Sequence, residues 1–204
     1  MIFTVEYTVI GDVIGSRDVA DREHLHQVLA SALREVNQTR DPLRALRITV
    51  GDEFQGSFGD LTQAMAAVLD VRVAMLPDYD IRHGIGWGEV STIDAADGIE
   101  DGPGWWTARE AIVEAESLAA VPATGSVRTR FVGPSASVVN AALNCRDHLV
   151  GSMSAASLRI LAGLRDGLSQ RTLAEELGIS ASAVSQRVRR DGIGVIVLSE
   201  RSQS

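Results

Sequence analysis

The sequence predicts an α+β protein, a βαββαβ domain over residues 1–150 followed by a small all-α module over 151–204. Three observations predict it. Apolar and polar residues alternate at 2–10 and on either side of Gly51-Asp52, the period of half-buried strands. Leu25, Val28, Leu29, Ala32, Leu33 and Val36, and again Leu61, Ala64, Met65, Val68, Leu69 and Val71, recur at helical spacing. Near the C-terminal end, Ser169 and Ser180 each precede a short apolar-periodic stretch, and Gly178 separates the two.

Taken in order, Phe3, Val5, Tyr7 and Val9 alternate with Thr4, Glu6 and Thr8 and give a first strand that ends in a turn from Gly11 to Arg17. Asp18 or Asp21 caps the first helix, which closes between Asn37 and Pro42. Leu43 to Val50 and Glu53 to Phe58 form a hairpin, because Gly51 supplies the positive φ that a two-residue turn needs. Asp60 caps the second helix, which stops before Pro77. Tyr79 to Val90 is a fourth strand, interrupted by Gly84, Gly86 and Gly88, residues that in a strand mark the close approach of another backbone. The order βαββαβ is the ferredoxin-like one, with a helix pair on one face of an antiparallel sheet.

Composition narrows the classes. A chain of 204 residues that is 45% hydrophobic can bury a full core. No apolar run reaches the length of a membrane span and Met1 to Glu6 lack the charged start of a secretory leader, so a cytoplasmic protein without membrane contact is expected. The single Cys145 excludes an internal disulfide and a cysteine zinc site, and is expected to serve packing. His24, His26, His83 and His148 show no ligand spacing. A net charge of −8 argues against broad, sequence-independent nucleic-acid binding and leaves only a local basic patch for that role.

Topology joins two acidic turns that are weak signals apart. In a split βαβ unit the first and second strands run parallel with one strand between them, so their C-terminal ends share one edge of the sheet. Asp12 and Asp52 then face each other, and with the main-chain oxygen of Val13 they make the hard oxygen set that Mg²⁺ takes when phosphates complete its shell. Gly15, Ser16 and Arg17 offer amide donors and a guanidinium to such phosphates, and Glu53 borders them. Turn chemistry alone is the plainer reading of Gly51-Asp52.

These residues carry a resemblance. Val9-Ile10-Gly11-Asp12-Val13-Ile14-Gly15-Ser16, Thr49-Val50-Gly51-Asp52-Glu53-Phe54 and Arg82 to Val90 resemble three successive motifs of the class III nucleotidyl cyclase catalytic domain, and the second is also similar to the core of diguanylate cyclases. The resemblance implies metal-binding aspartates at Asp12 and Asp52. With Gly102 to Ala111 and the C-terminal module, the whole chain more specifically resembles the SatD family. It also departs from the cyclase pattern. Active members use a base-selecting Lys before the second aspartate, whereas this chain has no Lys, and Arg47 stands one residue further from Asp52. Arg109 matches the family's transition-state Arg, but Trp105 stands where its partner Asn belongs, and Val50 replaces the first Gly of the diguanylate signature. The resemblance therefore implies a retained metal and phosphate pocket more than cyclisation.

Asp94 to Gly104 reads as an acidic, Gly-rich loop beside that pocket, a lid or a plain connector. Trp105 and Trp106 open a helix over Thr107 to Ala120, and Trp105 either packs in the core or stacks on a base. Val127 to Val132 is a last strand and Pro134 to Val150 a helix leading out of the domain. In the tail, Ser152 or Ser154 caps a helix that Gly167 ends. The two helices after it, capped by Ser169 and Ser180, with Ala174 at their crossing and Ile179, Val184 and Val188 in the core, resemble the helix-turn-helix of sigma-factor region 4 and of MarR-type or response-regulator modules. Its second helix would present Ser180, Ser182, Ser185, Gln186, Arg187, Arg189 and Arg190 to DNA. A helical capping or oligomerisation unit is the alternative. Gly192 to Leu198 is read as a short strand or apolar tail and Glu200 to Ser204 as a frayed end.

Two function classes follow. One is a ligand-responsive transcription regulator, a homodimer whose first domain takes a nucleotide or other phosphate ligand with Mg²⁺ and whose tail binds DNA. The other is a nucleotidyl cyclase or NTP-hydrolysing enzyme that uses Asp12 and Asp52, with Arg109 in the catalytic role.

Overall fold

The strand β1 (Thr4–Val13) is the spine of the sheet in a computed structural model that describes residues 4–94 and 99–201. The expected strand start at 2–3, the centre of the acidic segment at 95–98 and the terminal residues 202–204 lie outside the described residues. The chain divides into two units, Met1–Asn144 and Cys145–Ser204.

In the first unit, β1 is followed by α1 (Arg22–Thr39), β2 (Arg44–Val50), β3 (Glu53–Phe58), α2 (Leu61–Met75), β4 (Ile81–Asp94), β5 (Ile99–Asp101), α3 (Pro103–Ala119) and β6 (Thr129–Val132), with α4 (Ala136–Gly151) leading on. The strand order is β2-β3-β1-β4-β5, and β6 joins β4 as the parallel pairing. Asp21 and Asp60 cap α1 and α2 by accepting the amides of His24 and Gln63. Backbone pairing of β1 with β4 continues through Asp12 and Val13, so Asp12 belongs to the strand and not to the turn expected after residue 10. The acidic segment is likewise no simple loop: β4 runs on to Asp94 and pairs antiparallel with β5. Alternation had been broken there by acidic residues, but the backbone ladder does not depend on side-chain polarity.

One face of the sheet, with Val9, Val13, Phe54, Phe58, Ile81 and Ile85, packs on α1 and α2. The opposite face is covered by α3, where Ile10 and Val90 meet Trp105, Ala108 and Ile112. The glycines of β4 set that second layer. A Cβ on Gly86 would stand 2.2 Å from the amide nitrogen of Ala108 and 2.4 Å from the carbonyl oxygen of Gly104, and one on Gly84 would stand 2.3 Å from the carbonyl oxygen of Ala108. Helix and sheet touch backbone to backbone. Gly86→Ala is therefore expected to push α3 away and lower stability by about 2–3 kcal/mol, read as a fall in the denaturant midpoint at unchanged slope.

The second unit is helical: α5 (Ala155–Arg165), α6 (Gln170–Leu177), α7 (Ala181–Arg190) and α8 (Ile193–Arg201). Ser154, Ser169 and Ser180 cap α5, α6 and α7, and Gly178, at φ 65°, turns the chain between α6 and α7. Leu158, Ile160, Leu161, Leu173, Val184, Ile193 and Ile196 are buried. Of the stretch Gly192 to Leu198, expected as a strand or tail, Ile193 to Leu198 is instead the start of α8. β-branched residues at 193–197 favour a strand locally, but Ile193 and Ile196, three apart, both reach the core only as a helix. Cys145, expected to pack, is exposed.

Candidate functional site

The ends of β1 and of the β2–β3 turn meet as the strand order requires, since β3 alone separates β1 from β2. The Val13 amide donates to Asp52 Oδ2 at 3.0 Å, which ties the two acidic corners together. Gly15, at φ 70°, then turns the chain into a short 3₁₀ helix, Ser16–Asp18. Around this corner lies a cavity of about 410 Å³ lined by Asp12, Val13, Ile14, Gly15, Ser16, Arg17, Asp18, Asp52, Glu53, Arg82 and Glu116. Five carboxylates face two guanidinium groups there, so the cavity has a deficit of positive charge.

Asp12 shows the consequence. Its Oδ2 accepts from Arg82 Nη1 at 3.2 Å, while its Oδ1 is buried without a partner. Burial pushes its carboxyl above the ordinary range; Arg82 opposes that shift, and Asp52, Glu116 and Glu53 reinforce it. A divalent cation answers both deficits, and the donors are the hard oxygens that Mg²⁺ prefers. Among the described residues no three His, Cys, Asp or Glu side chains form a metal cluster, so the cation would rest on Asp12, Asp52 and main-chain, water or phosphate oxygens. When bound, it would neutralise and orient phosphate oxygens.

The residues proposed for a nucleotide fall in more than one place. Gly15, Ser16, Arg17 and Glu53 line the acidic cavity. Arg109 grips Glu53 with both terminal nitrogens, each at 2.7 Å, so the two satisfy each other. Trp105 and Arg109 line a second cavity, of about 430 Å³, with Ile10, Gln55, Glu100 and Trp106. Trp105 is buried in the apolar cluster under α3, and its Nε1 has no partner. Arg47 is exposed on β2, opposite Gln55, and lines neither cavity. Sequence reasoning missed Arg82 and Glu116. Arg82 directly precedes the His83-Gly84 motif, but its place opposite Asp12 is a matter of β1–β4 register, which no local pattern reveals.

In the second unit, Ser180, Ser182, Gln186, Arg189 and Arg190 are exposed along α7, and Ser185 and Arg187 are half-buried. Ser180 Oγ accepts from the Ala183 amide as the cap. Arg187 Nη1 donates to Ser154 Oγ at 3.1 Å and to Ser157 Oγ at 3.3 Å. Arg190 pairs with Asp191, whose other oxygen accepts from the buried Ser157 hydroxyl. The hydrogen bond from Arg190 holds the Asp191 carboxyl below its ordinary range, against the opposing effect of burial.

Solved structures similar to the chain include a bacterial light-regulated adenylyl cyclase, at 11% identity and a TM-score of 0.46 over 72% of this chain and 45% of that one. An adenylate/guanylate cyclase/hydrolase from Silicibacter pomeroyi is similar at 19% identity and 0.40 over 54% of this chain and 69% of that one. The adenylyl cyclase CyaB from P. aeruginosa is similar at 17% and 0.40 over 53% and 72%. The chain thus spans less than half the length of the light-regulated cyclase. No curated protein matches it. The SatD family profile matches residues 7–204, and the chain belongs to the SatD family.

Proposed function

We propose that the protein is a ligand-responsive, DNA-binding transcription regulator. Its first domain, with the β2-β3-β1-β4 order of a ferredoxin-like sheet, binds a nucleotide or other phosphate-bearing ligand with Mg²⁺ in the acidic cavity. Its second domain, residues 151–204, is a helix-turn-helix with α7 as the recognition helix. The observation that carries the first half is the convergence of Asp12 and Asp52 on one cavity, with an unpartnered Asp12 oxygen inside it. Asp12, Asp52 and the Val13 carbonyl hold the cation, and Gly15, Ser16 and Arg17 take the phosphates.

Charge separation supports the second half. Residues 145–204 hold eight arginines against six acids, while residues 1–144 hold eleven against twenty-one. The basic excess therefore belongs to the unit that carries α7, inside a chain of net charge −8. The exposed Ser182, Gln186 and Arg189 suit base edges, and Arg187 and Arg190 suit phosphates or the support of the helix. One such module reads one half-site, so the working form is a homodimer. Ligand acts by binding one dimer geometry better than the other, and a tenfold change in that preference is about 1.4 kcal/mol. Sensing is favoured over turnover because Arg109, the group the enzyme reading needs, is spent on Glu53.

The test has two arms. Nucleotides with Mg²⁺ are expected to raise the melting temperature without being consumed; product formation abolished by Asp52→Ala would move the protein to the enzyme class. DNA from the gene's own neighbourhood is expected to be retarded in a salt-dependent way, and Arg189→Ala is expected to weaken that binding at least tenfold. Equal affinity of the variant and the wild type would remove α7 as the reading helix.

A further inference from the structure

Arg82 is the base that hydrogen-bonds Asp12 among the described residues of the acidic cavity, and its grip is poor. A single terminal nitrogen, Nη1, serves both Asp12 Oδ2 at 3.2 Å and Glu116 Oε1 at 3.1 Å. Its Nε is buried with no partner. By contrast Arg109, which lines the second cavity, holds Glu53 by a two-point fork at 2.7 Å on each arm, which shows what a settled pair looks like in this protein. Arg82 is 14% exposed and sits directly across the β1–β4 ladder from Asp12, so its backbone is fixed and only its side chain can swing.

We infer that Arg82 is a positioning residue that competes with the divalent cation for Asp12, resting on Asp12 when the cation is absent and turning to Glu116 of α3 when the cation arrives. The inference rests on the proposed cation site. Its physical basis is that Asp12 Oδ2 cannot serve a guanidinium and a divalent cation equally, because the two positive charges would lie within a few ångströms of each other in a partly buried site. Glu116 gives the displaced charge a second acceptor already within bonding distance, so displacement leaves no buried cation unpaired. Glu116 lies on α3, as do Trp105 and Arg109, so cation occupancy would be felt by the helix that lines the second cavity.

Mn²⁺ titrated into the full chain, followed by calorimetry and by the electron paramagnetic resonance signal of the free ion, tests this. Arg82→Met is expected to bind Mn²⁺ at least tenfold more tightly than the wild type, since it removes the competitor and keeps the side-chain volume. Glu116→Gln, at a residue 63% exposed and outside the core, is expected to bind several-fold more weakly, because Arg82 then has only Asp12 to hold. In the Arg82→Met background, Glu116→Gln is expected to have little further effect, and that non-additivity separates displacement from simple loss of a negative charge. Equal or weaker binding by Arg82→Met overturns the inference while leaving the cation site intact. An undiminished Glu116→Gln effect in the double variant likewise overturns it, since Glu116 would then act by its own charge. No Mn²⁺ binding by any variant overturns the site and the inference together. Should Arg82→Met unfold, Arg82→Gln at pH 8 gives the same readout with a polar replacement.

Discussion

Asp80→Asn is expected to lower the stability of the first unit by about 3–5 kcal/mol, a large part of the ~5–15 kcal/mol that a domain commonly has. Arg72 projects from α2 into the interior with 2% of its side chain exposed, and Asp80 is its counter-ion. Arg72 Nε reaches Asp80 Oδ1 at 2.7 Å and Nη2 reaches Oδ2 at 3.2 Å, while Arg128 Nε reaches Oδ2 at 2.7 Å. One carboxylate thus joins α2, the start of β4 and the approach to β6. An Asn keeps one acceptor oxygen and no charge, so a buried guanidinium loses its ionic partner, which costs far more than the pair itself contributes. The acid limb carries the same information. Burial alone would raise the Asp80 carboxyl, but hydrogen bonds and charge from Arg72, then from Arg128, hold it below its ordinary 3.8. A lowered acid contributes its stability above 3.8 and loses it as pH falls through the lowered value, so the gap between wild type and Asp80→Asn is expected to close in strong acid. Urea titrations at pH 7 and at pH 2–3 read both effects. A variant within ~1 kcal/mol of wild type at pH 7 would mean that Arg72 finds another partner. Arg72→Met combined with Asp80→Asn is expected to be less damaged than Asp80→Asn alone, because the stranded charge is gone.

Asp80 was invisible as an anchor in the sequence, while the elements around it were legible, and the difference is physical. Helix caps, the Gly51-Asp52 turn and the glycine-marked strand β4 are set by neighbours within a few residues, so Asp60, Ser169 and Ser180 read correctly as caps, and Asp21 and Ser154 were each one of two candidates. Convergence of Asp12 and Asp52 followed from strand order, which the alternation of strands and helices already implied. What escaped depended on register or tertiary burial. Arg82 meets Asp12 only because β1 and β4 pair as they do, Arg72 finds Asp80 across a helix end, and Ile193 to Val197 becomes helical only because two of its residues must face the same core. The two readings left open at Trp105 also needed the fold: it packs against Ile10 and Val90, and it lines the second cavity as well.

Asp52→Asn is expected to abolish cation-dependent stabilisation while leaving the apo protein folded, and the opposite signs of those two effects are what make the variant informative. In the wild type a ligand at one hundred times its dissociation constant adds about 2.7 kcal/mol to stability; the variant is expected to gain none of it from Mg²⁺ or Mn²⁺ with nucleotide. The fold survives because the amide oxygen of Asn can still accept the Val13 N–H that Asp52 Oδ2 accepts at 3.0 Å. It also removes one of the negative charges that, after burial, raise the Asp12 carboxyl, so apo stability at pH 7 is expected to stay level or rise by less than ~1 kcal/mol. Asp52→Ala gives the contrast: it loses the same ligand response but also the hydrogen bond to Val13, and should fall by about 1 kcal/mol. The wild-type response has its own pH signature. A proton and the cation compete for Asp12, so the ligand-dependent shift is expected to weaken as pH falls into the acid range. Thermal melts with and without Mg²⁺ across that range decide the matter: a metal response retained in Asp52→Asn would place the cation elsewhere in the chain and remove the shared corner of β1 and the β2–β3 turn as the seat of ligand sensing.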